Sequence, residues 1–299
     1  SDHMYVSGGN SSSRKNLTVM KKEQIDDFTK LNVDFEDFDL DIRTSDDDHY
    51  YMEYKLEKNG RKNPLTWKDK DGELTLEEPA GCSGSYYITY DLGIFSTHAD
   101  LTEKKDALNT VVLYIPEKAQ LSEAELQLSD GDLAADQLLC KEMTLELLSG
   151  DLMLDKGEFE KFDAKLSDGD LNVKELQCTD NMQLKSGNGD VTIKKAELAD
   201  GQIALSDGDI QIDNSSFNGD MKINSSCGDV SVEMKNGSAE KTNIYLKAAD
   251  GDVDTEGLSR GKTDNEEDPS VYENKAGASA PTLNVECSDG DITLTESEK

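Results

Sequence analysis

The chain has 299 residues, 64 acidic and 31 basic, for a formal charge of −33, with 35% apolar and 6% aromatic residues. So acidic a surface repels phosphate backbones and anionic headgroups, which excludes nucleic-acid binding and direct docking on an anionic membrane. No run of 18 apolar residues occurs to make a transmembrane helix, and an apolar fraction this low sustains a core only if the apolar positions fall in register.

Residues 1–30 read as a tag remnant and flexible linker. Ser1-Asp2-His3 ahead of Met4 looks like a cloning scar, and Gly8-Gly9-Asn10-Ser11-Ser12-Ser13 has linker composition. The charged stretch Lys21 to Lys30 fits a short helix or an extended lead-in. Residues 31–118 form an N-terminal β region that caps the regular coils. Alternation begins at Leu31-x-Val33-x-Phe35 and continues through Phe38-x-Leu40-x-Ile42, with a turn at Ser45-Asp46-Asp47-Asp48. Tyr50 to Leu56 returns as a strand, Asn59-Gly60 marks a turn, and Leu74-Thr75-Leu76 is a strand after Asp71-Gly72. The pattern lapses over 77–107, an irregular insertion holding Tyr86, Tyr87 and Tyr90. Val111-x-Leu113-x-Ile115-Pro116 resumes it.

Residues 119–299 repeat one phrase, a Gly-Asp pair followed by apolar-x-apolar. The pairs end at Asp132, Asp151, Asp170, Asp190, Asp209, Asp229, Asp252 and Asp291, a period of about 20 residues apart from the last two gaps. One residue after each aspartate stand Leu133, Leu152, Leu171, Val191, Ile210, Val230, Val253 and Ile292. Six before stand Leu126, Leu145, Ala164, Leu184, Ile203, Ile223, Leu246 and Val285. Apolar residues two apart are strand alternation, so a strand ends before each Asp-Gly corner and another starts after it. A further column eight residues on, Cys140, Phe159, Cys178, Leu198 and Phe217, gives each coil a third side. The predicted fold is all-β: a single-stranded parallel β-helix, or β-solenoid, of about 19–20 residues per coil. The polar, acidic stretch 258–281 is expected to be a long loop projecting from the stack.

Five cysteines include no C-x-x-C pair. Cys140 and Cys178 fall two coils apart, about 9.6 Å by strand spacing, beyond the roughly 7 Å limit for a disulfide. They read as buried free thiols.

In this order the features resemble the bacterial DUF4097 family, which carries an adhesin label. The resemblance rests on a lead strand Leu40-Asp41-Ile42, an acidic turn, a strand Tyr51-Met52-Glu53-Tyr54, Leu74-Thr75-Leu76, and Val112-Leu113-Tyr114-Ile115-Pro116 ending in proline. Repeated Ser-x-Gly-Asp coils complete it, and the match runs from about residue 31 to the end. The resemblance implies a β-solenoid displayed outside the membrane or attached to membrane-associated regulatory proteins of the envelope, with no catalytic residue to carry over. The expected location is extracellular or at the cell surface, through an anchor outside these 299 residues.

The chemistry-bearing residues agree with a non-enzyme. His49 and His98 lie outside the regular coils, and paired aspartates recur in every coil as corner residues, where a catalytic pair would stand alone. No cofactor or metal site is expected, and a polysaccharide-active enzyme is the weakest of the readings. The aspartate column would place carboxylates about 4.8 Å apart, repelling by roughly 1 kcal/mol per pair in water. Calcium needs six to eight oxygens, more than one column supplies, so the expectation is hydrogen bonding to corner N–H groups with weak cation screening. Tyr50, Tyr51, Tyr86, Tyr87 and Tyr90 form the candidate patch for an unknown protein or glycan, since tyrosine suits recognition surfaces; covering an exposed end of the core is the competing role. Two readings remain: a surface-displayed binding, adhesion or envelope-sensing module, or a rigid structural or oligomerisation domain of a membrane-anchored regulatory protein.

Overall fold

Alternation within each repeat decides which side chains turn inward. The computed structural model describes residues 16–80, 107–258 and 261–299. In it, Leu171, Val173, Ile210, Ile212, Val230 and Val232 are all 2% exposed or less. They stack in parallel register, Leu171 on Val191, Val191 on Ile210, Ile210 on Val230. Cys140, Phe159, Cys178, Leu198 and Phe217 line the third side and are also buried. Phe159 pairs with Cys140 below and Cys178 above, and both thiols are free. The result is a parallel β-solenoid whose core runs along its axis, each buried Leu or Val stabilising it by about 1.5–3 kcal/mol.

The corners are drawn together more closely than any side chain allows. A Cβ added at Gly169 would lie 2.1 Å from the carbonyl oxygen of Gly150, and one at Gly150 would lie 1.9 Å from that of Gly131. Close stacking therefore demands glycine, and the positive φ of 146° at Gly169 adds a second reason. Beside the glycines runs a ladder of aspartates, each accepting a hydrogen bond from the backbone N–H of the next coil's aspartate. It begins with Asp132 N–H on Asp39 Oδ1 at 2.7 Å, then Asp151 on Asp132 at 2.7 Å and Asp170 on Asp151 at 2.7 Å. It continues through Asp190, Asp209 and Asp229 at 2.8, 2.9 and 2.8 Å. The hydrogen bonding to corner N–H groups expected of these aspartates is thus made between coils, each carboxylate serving the coil stacked on its own.

Above Asp229 the stacking order departs from chain order. Asp291 donates to Asp229 at 2.8 Å, and Asp252 donates to Asp291 at 2.8 Å. The last coil, strands Thr282–Asp289 and Ile292–Glu296, is inserted between the coil of Asp220–Cys227 and that of Asn243–Asp250. The other end is built the same way. Strands Lys30–Phe35 and Asp39–Ser45 sit between Glu73–Glu77 and Thr110–Pro116 on one side and Leu121–Leu128 and Leu133–Leu147 on the other. The first and last coils in sequence are therefore clamped on both sides, where terminal strands otherwise fray.

Both ends close with antiparallel strands. At the N-terminal end Tyr50–Glu57 pairs with Thr110–Pro116 and Leu17–Ile25 pairs with Tyr50–Glu57, while Thr66–Lys70 covers Glu73–Glu77. Residues 17–25 are thus a strand inside the stretch read as linker, and Ile25 buries its side chain at the end of the core. At the C-terminal end Val271–Asn274 pairs with Asn243–Asp250, and Lys262–Thr263 pairs with it in turn. Contrary to the reading of 258–281 as a projecting loop, its Val271–Asn274 part packs on the stack, while residues 261–268 stay exposed. Tyr272 and Asn274 alternate inward to 4% and 8% exposure, and the Asn274 amide donates to the carbonyls of Ala239 and Thr242 at 3.2 and 2.9 Å. Two inward residues among many polar ones are too weak a signal to show alternation in sequence.

Candidate binding surface

The strand Tyr50–Glu57 divides its tyrosines by simple alternation. Tyr50 turns inward with Met52 and Leu56, is 7% exposed, and meets Phe28 edge-on at 4.9 Å between centroids. Tyr51 turns outward and meets Tyr114, across the pairing of these two antiparallel strands, at 6.4 Å and 88°. Tyr50 and Tyr51 therefore lie on opposite faces of the sheet. Tyr86, Tyr87 and Tyr90 lie outside the described residues.

Tyr114 and Lys22 join Tyr51 on the outer face. The register of the edge strand slips between Met20 and Glu23, a bulge of the kind that re-aims a side chain. It carries Lys22, whose Nζ stands 4.0 Å from the Tyr114 ring centroid and 5.0 Å from that of Tyr51. A lysine over two ring faces is a cation–π contact, stronger as the site dries. The phenols are oriented by carboxylates: Tyr51 donates to Asp47 Oδ2 at 2.6 Å, and Tyr114 donates to Glu53 Oε1. Burial, then the bond to Glu53, drives the Tyr114 pKa upward, and the bond to Asp47 raises that of Tyr51. Both phenols stay neutral donors at physiological pH. Val19, 56% exposed, faces outward opposite Lys55 on the same sheet. The assembly is an edge-to-face aromatic pair with apolar, cationic and anionic groups within a few side chains of one another, a mixture suited to recognition.

Below it the aspartate ladder ends on a carboxylate trap. Glu78 reaches the corner of the first coil and accepts from the N–H groups of Glu36, Asp37 and Phe38 at 2.8–3.1 Å. It replaces the coil that would otherwise stack there. Phe38, unlike the glycines above it, keeps its side chain at this terminal position. Burial pushes Glu78 up to about 7, although its backbone donors and Arg61 favour the charge. Burial likewise pushes Asp39 up to about 7, against the Asp132 N–H and with repulsion from Asp132 and Glu78 adding to it. From Asp39 to Asp291 the ladder carboxylates each already accept a backbone hydrogen bond, and among the described residues no three His, Cys, Asp or Glu side chains converge as a metal site.

Sequence reasoning missed Tyr114, Lys22 and Glu78. Tyr114 had a signal, since it alternates outward between Leu113 and Ile115; Lys22 depends on the bulge and Glu78 on contacts 40 to 42 residues away.

A family model described as Toastrack DUF4097 matches residues 28–295. No curated protein matches. Solved structures similar to this chain include a "putative adhesin" from Parabacteroides merdae, 15% identical over 95% of this chain and 97% of that one, with a TM-score of 0.49. Another is a "putative lipid binding protein" from Parabacteroides distasonis, 14% identical over 95% and 97%, TM-score 0.47. A "putative cell adhesion protein" from Clostridium sporogenes is 16% identical over 94% and 100%, TM-score 0.27.

Proposed function

The chain belongs to the Toastrack DUF4097 family, and we propose that it is a non-catalytic, surface-associated binding domain acting in adhesion or envelope sensing. The observation that carries this reading is the outward Tyr51–Tyr114 pair with Lys22 across both rings. Of the described aromatic residues that keep some exposure, Tyr51, Tyr54, Trp67 and Tyr114 all belong to the N-terminal end and only Tyr245 lies elsewhere. Tyrosine and tryptophan combine large contact area with a polar handle and little entropy to lose, the usual basis of recognition hot spots. The ligand is a protein or a glycan, and the location is extracellular or at the cell surface, through an anchor outside these 299 residues. Among the described residues no helix is long and apolar enough to cross a membrane.

A non-catalytic role is supported by the aspartates. From Asp132 to Asp229 the aspartate that follows each corner glycine serves as an acceptor in the ladder. The rival reading, an oligomerisation domain built by strand pairing, requires an open end. The closing antiparallel strands, the bulge and the exposed Lys21 and Lys22 on the N-terminal edge are the devices that discourage edge pairing, so they favour the binding reading.

The test is binding of the purified domain to fixed cells and to immobilised envelope proteins and glycans. Tyr51→Ala/Tyr114→Ala should lower binding at least tenfold with an unchanged circular dichroism spectrum. Full binding by that double variant, or no binding by the parent chain, would sink the proposal. Protease or antibody access on intact cells tests the location.

A further inference from the structure

On a protein of charge −33, a six-strand stretch of one face is short of acid, below which its outward columns run on to Glu146 and Glu125. Two adjacent outward columns cross six neighbouring strands of the sheet before the Asp-Gly corner, from Asp163 to Tyr245 and from Lys165 to Lys247. Of their twelve positions four are lysines (Lys165, Lys185, Lys222, Lys247) and two are carboxylates, a local excess of two positive charges. None of these four lysines makes an ion pair among the described residues. Between them lie amides held ready by their neighbours: Gln183 Nε2 donates to Asn181 at 3.0 Å and Gln202 Nε2 to Asn224 at 3.3 Å. At Tyr245 the lane meets the capping strand, whose Glu273 is its register partner, on the wall of a shallow groove of about 430 Å³ formed with the turn at Gly277 and Ala278.

From this arrangement we infer a second binding site, for an extended glycan bearing carboxylates, such as a chain of uronic acids. Its length is about 24 Å, five strand spacings, and its width two side chains of one strand, which admits a single extended chain. Amides match sugar hydroxyls, lysines standing one or two strands apart match sparse carboxylates, and a tyrosine at the end of the lane offers a face for a sugar ring. The aspartate ladder along the adjoining corner repels a polyanion as dense as a nucleic acid, so charge complementarity is confined to the lane. The site is on other strands than Tyr51 and Tyr114, those before the Asp-Gly corners, and depends on neither.

The experiment is calorimetric titration of the full chain with three probes: hexagalacturonate, the neutral cellohexaose and dextran sulfate. Hexagalacturonate should bind, more tightly as salt falls, with cellohexaose at least tenfold weaker. Lys185→Gln/Lys222→Gln and Tyr245→Ala should each weaken hexagalacturonate at least tenfold, at unchanged thermal stability, and Tyr51→Ala/Tyr114→Ala should leave it unchanged. Absence of hexagalacturonate binding at millimolar concentration, or binding indifferent to the lane variants, overturns the inference. Equal affinity for cellohexaose overturns its anionic ligand class. Dextran sulfate binding as tightly as hexagalacturonate, with no loss in Tyr245→Ala, reduces the lane to unselective charge and also overturns it. If the aromatic-face variants abolish cell binding while the lane variants do nothing, the lane fails and the proposed function stands.

Discussion

Replacing Gly169 by alanine probes the stacked corner at its tightest point. The new Cβ would lie 2.1 Å from the Gly150 carbonyl oxygen and 3.2 Å from Asp151 Oδ1, and both partners are fixed, one as backbone and the other as a rung of the ladder. Relief requires the coils to part, which strains their parallel pairing, and forced overpacking costs about 1–3 kcal/mol. The positive φ of 146° at Gly169 adds about 1–3 kcal/mol for a residue with a Cβ, so the expected loss is about 2–6 kcal/mol. Gly237→Ala is the internal control. Its φ is 77° but nothing lies within 4 Å of the added Cβ, so only a left-handed cost of about 1–2 kcal/mol applies. Urea unfolding followed by circular dichroism gives both values, with constancy of the slope as the check that a stacked-coil protein still melts as one unit. If Gly169→Ala costs no more than Gly237→Ala, the corners are not packed carbonyl against Cα and the parallel register is wrong.

Three further outcomes are expected of the same structure. At Asp151 the amide of asparagine keeps the acceptor that Asp170 N–H uses at 2.7 Å and removes repulsion of about 1 kcal/mol per neighbour in water. Asp151→Asn should therefore be neutral or stabilising and Asp151→Ala destabilising by about 1 kcal/mol; the reverse ranking in urea would contradict the ladder. Asp39 and Glu78 are raised to about 7 by burial from an unfolded value near 4. The stability tied to their protonated forms is complete below about pH 4 and is lost as pH rises through 7, so thermal stability should rise between pH 8 and pH 5, and less so in Asp39→Asn. A fall over that interval would count against it. Removing residues 281–299 should expose two coils, since Asn243–Asp250 stacks on Thr282–Asp289; hydrogen exchange should then find unprotected those amides of 243–250 that do not pair with residues 270–274, whereas their retained protection would mean that coil sits directly on Asp220–Cys227.

The apolar columns were legible because each coil repeats the same inward positions, and burial selects them at every rung: Leu133, Leu171, Ile210 and Ile292 are interchangeable in role. That interchangeability also hid the stacking order. A coil of Ile and Val seats equally well on any neighbour of its kind, so the sequence carries the period and leaves the order open. The irregular gaps before Asp252 and Asp291 were the surviving trace of the inserted last coil. Asp39 escaped the columns because Phe38 stands where later coils have glycine, a freedom that exists only where Glu78 replaces the next coil. Within the candidate surface, alternation alone separates Tyr50 from Tyr51 and turns Tyr114 outward. Lys22 reaches the rings through a bulge on the edge strand, which no periodic pattern encodes.

The coil order is tested most directly by cysteine trapping. Ser231 faces Thr293 in parallel register, about 4.8 Å away by strand spacing and inside the range a disulfide spans. With native Cys227 replaced by serine, Ser231→Cys/Thr293→Cys should oxidise readily. Ser231→Cys/Asp254→Cys, two strands and about 9.6 Å apart, should stay reduced. The opposite pattern, with 231 linking to 254 and sparing 293, would contradict the inserted last coil.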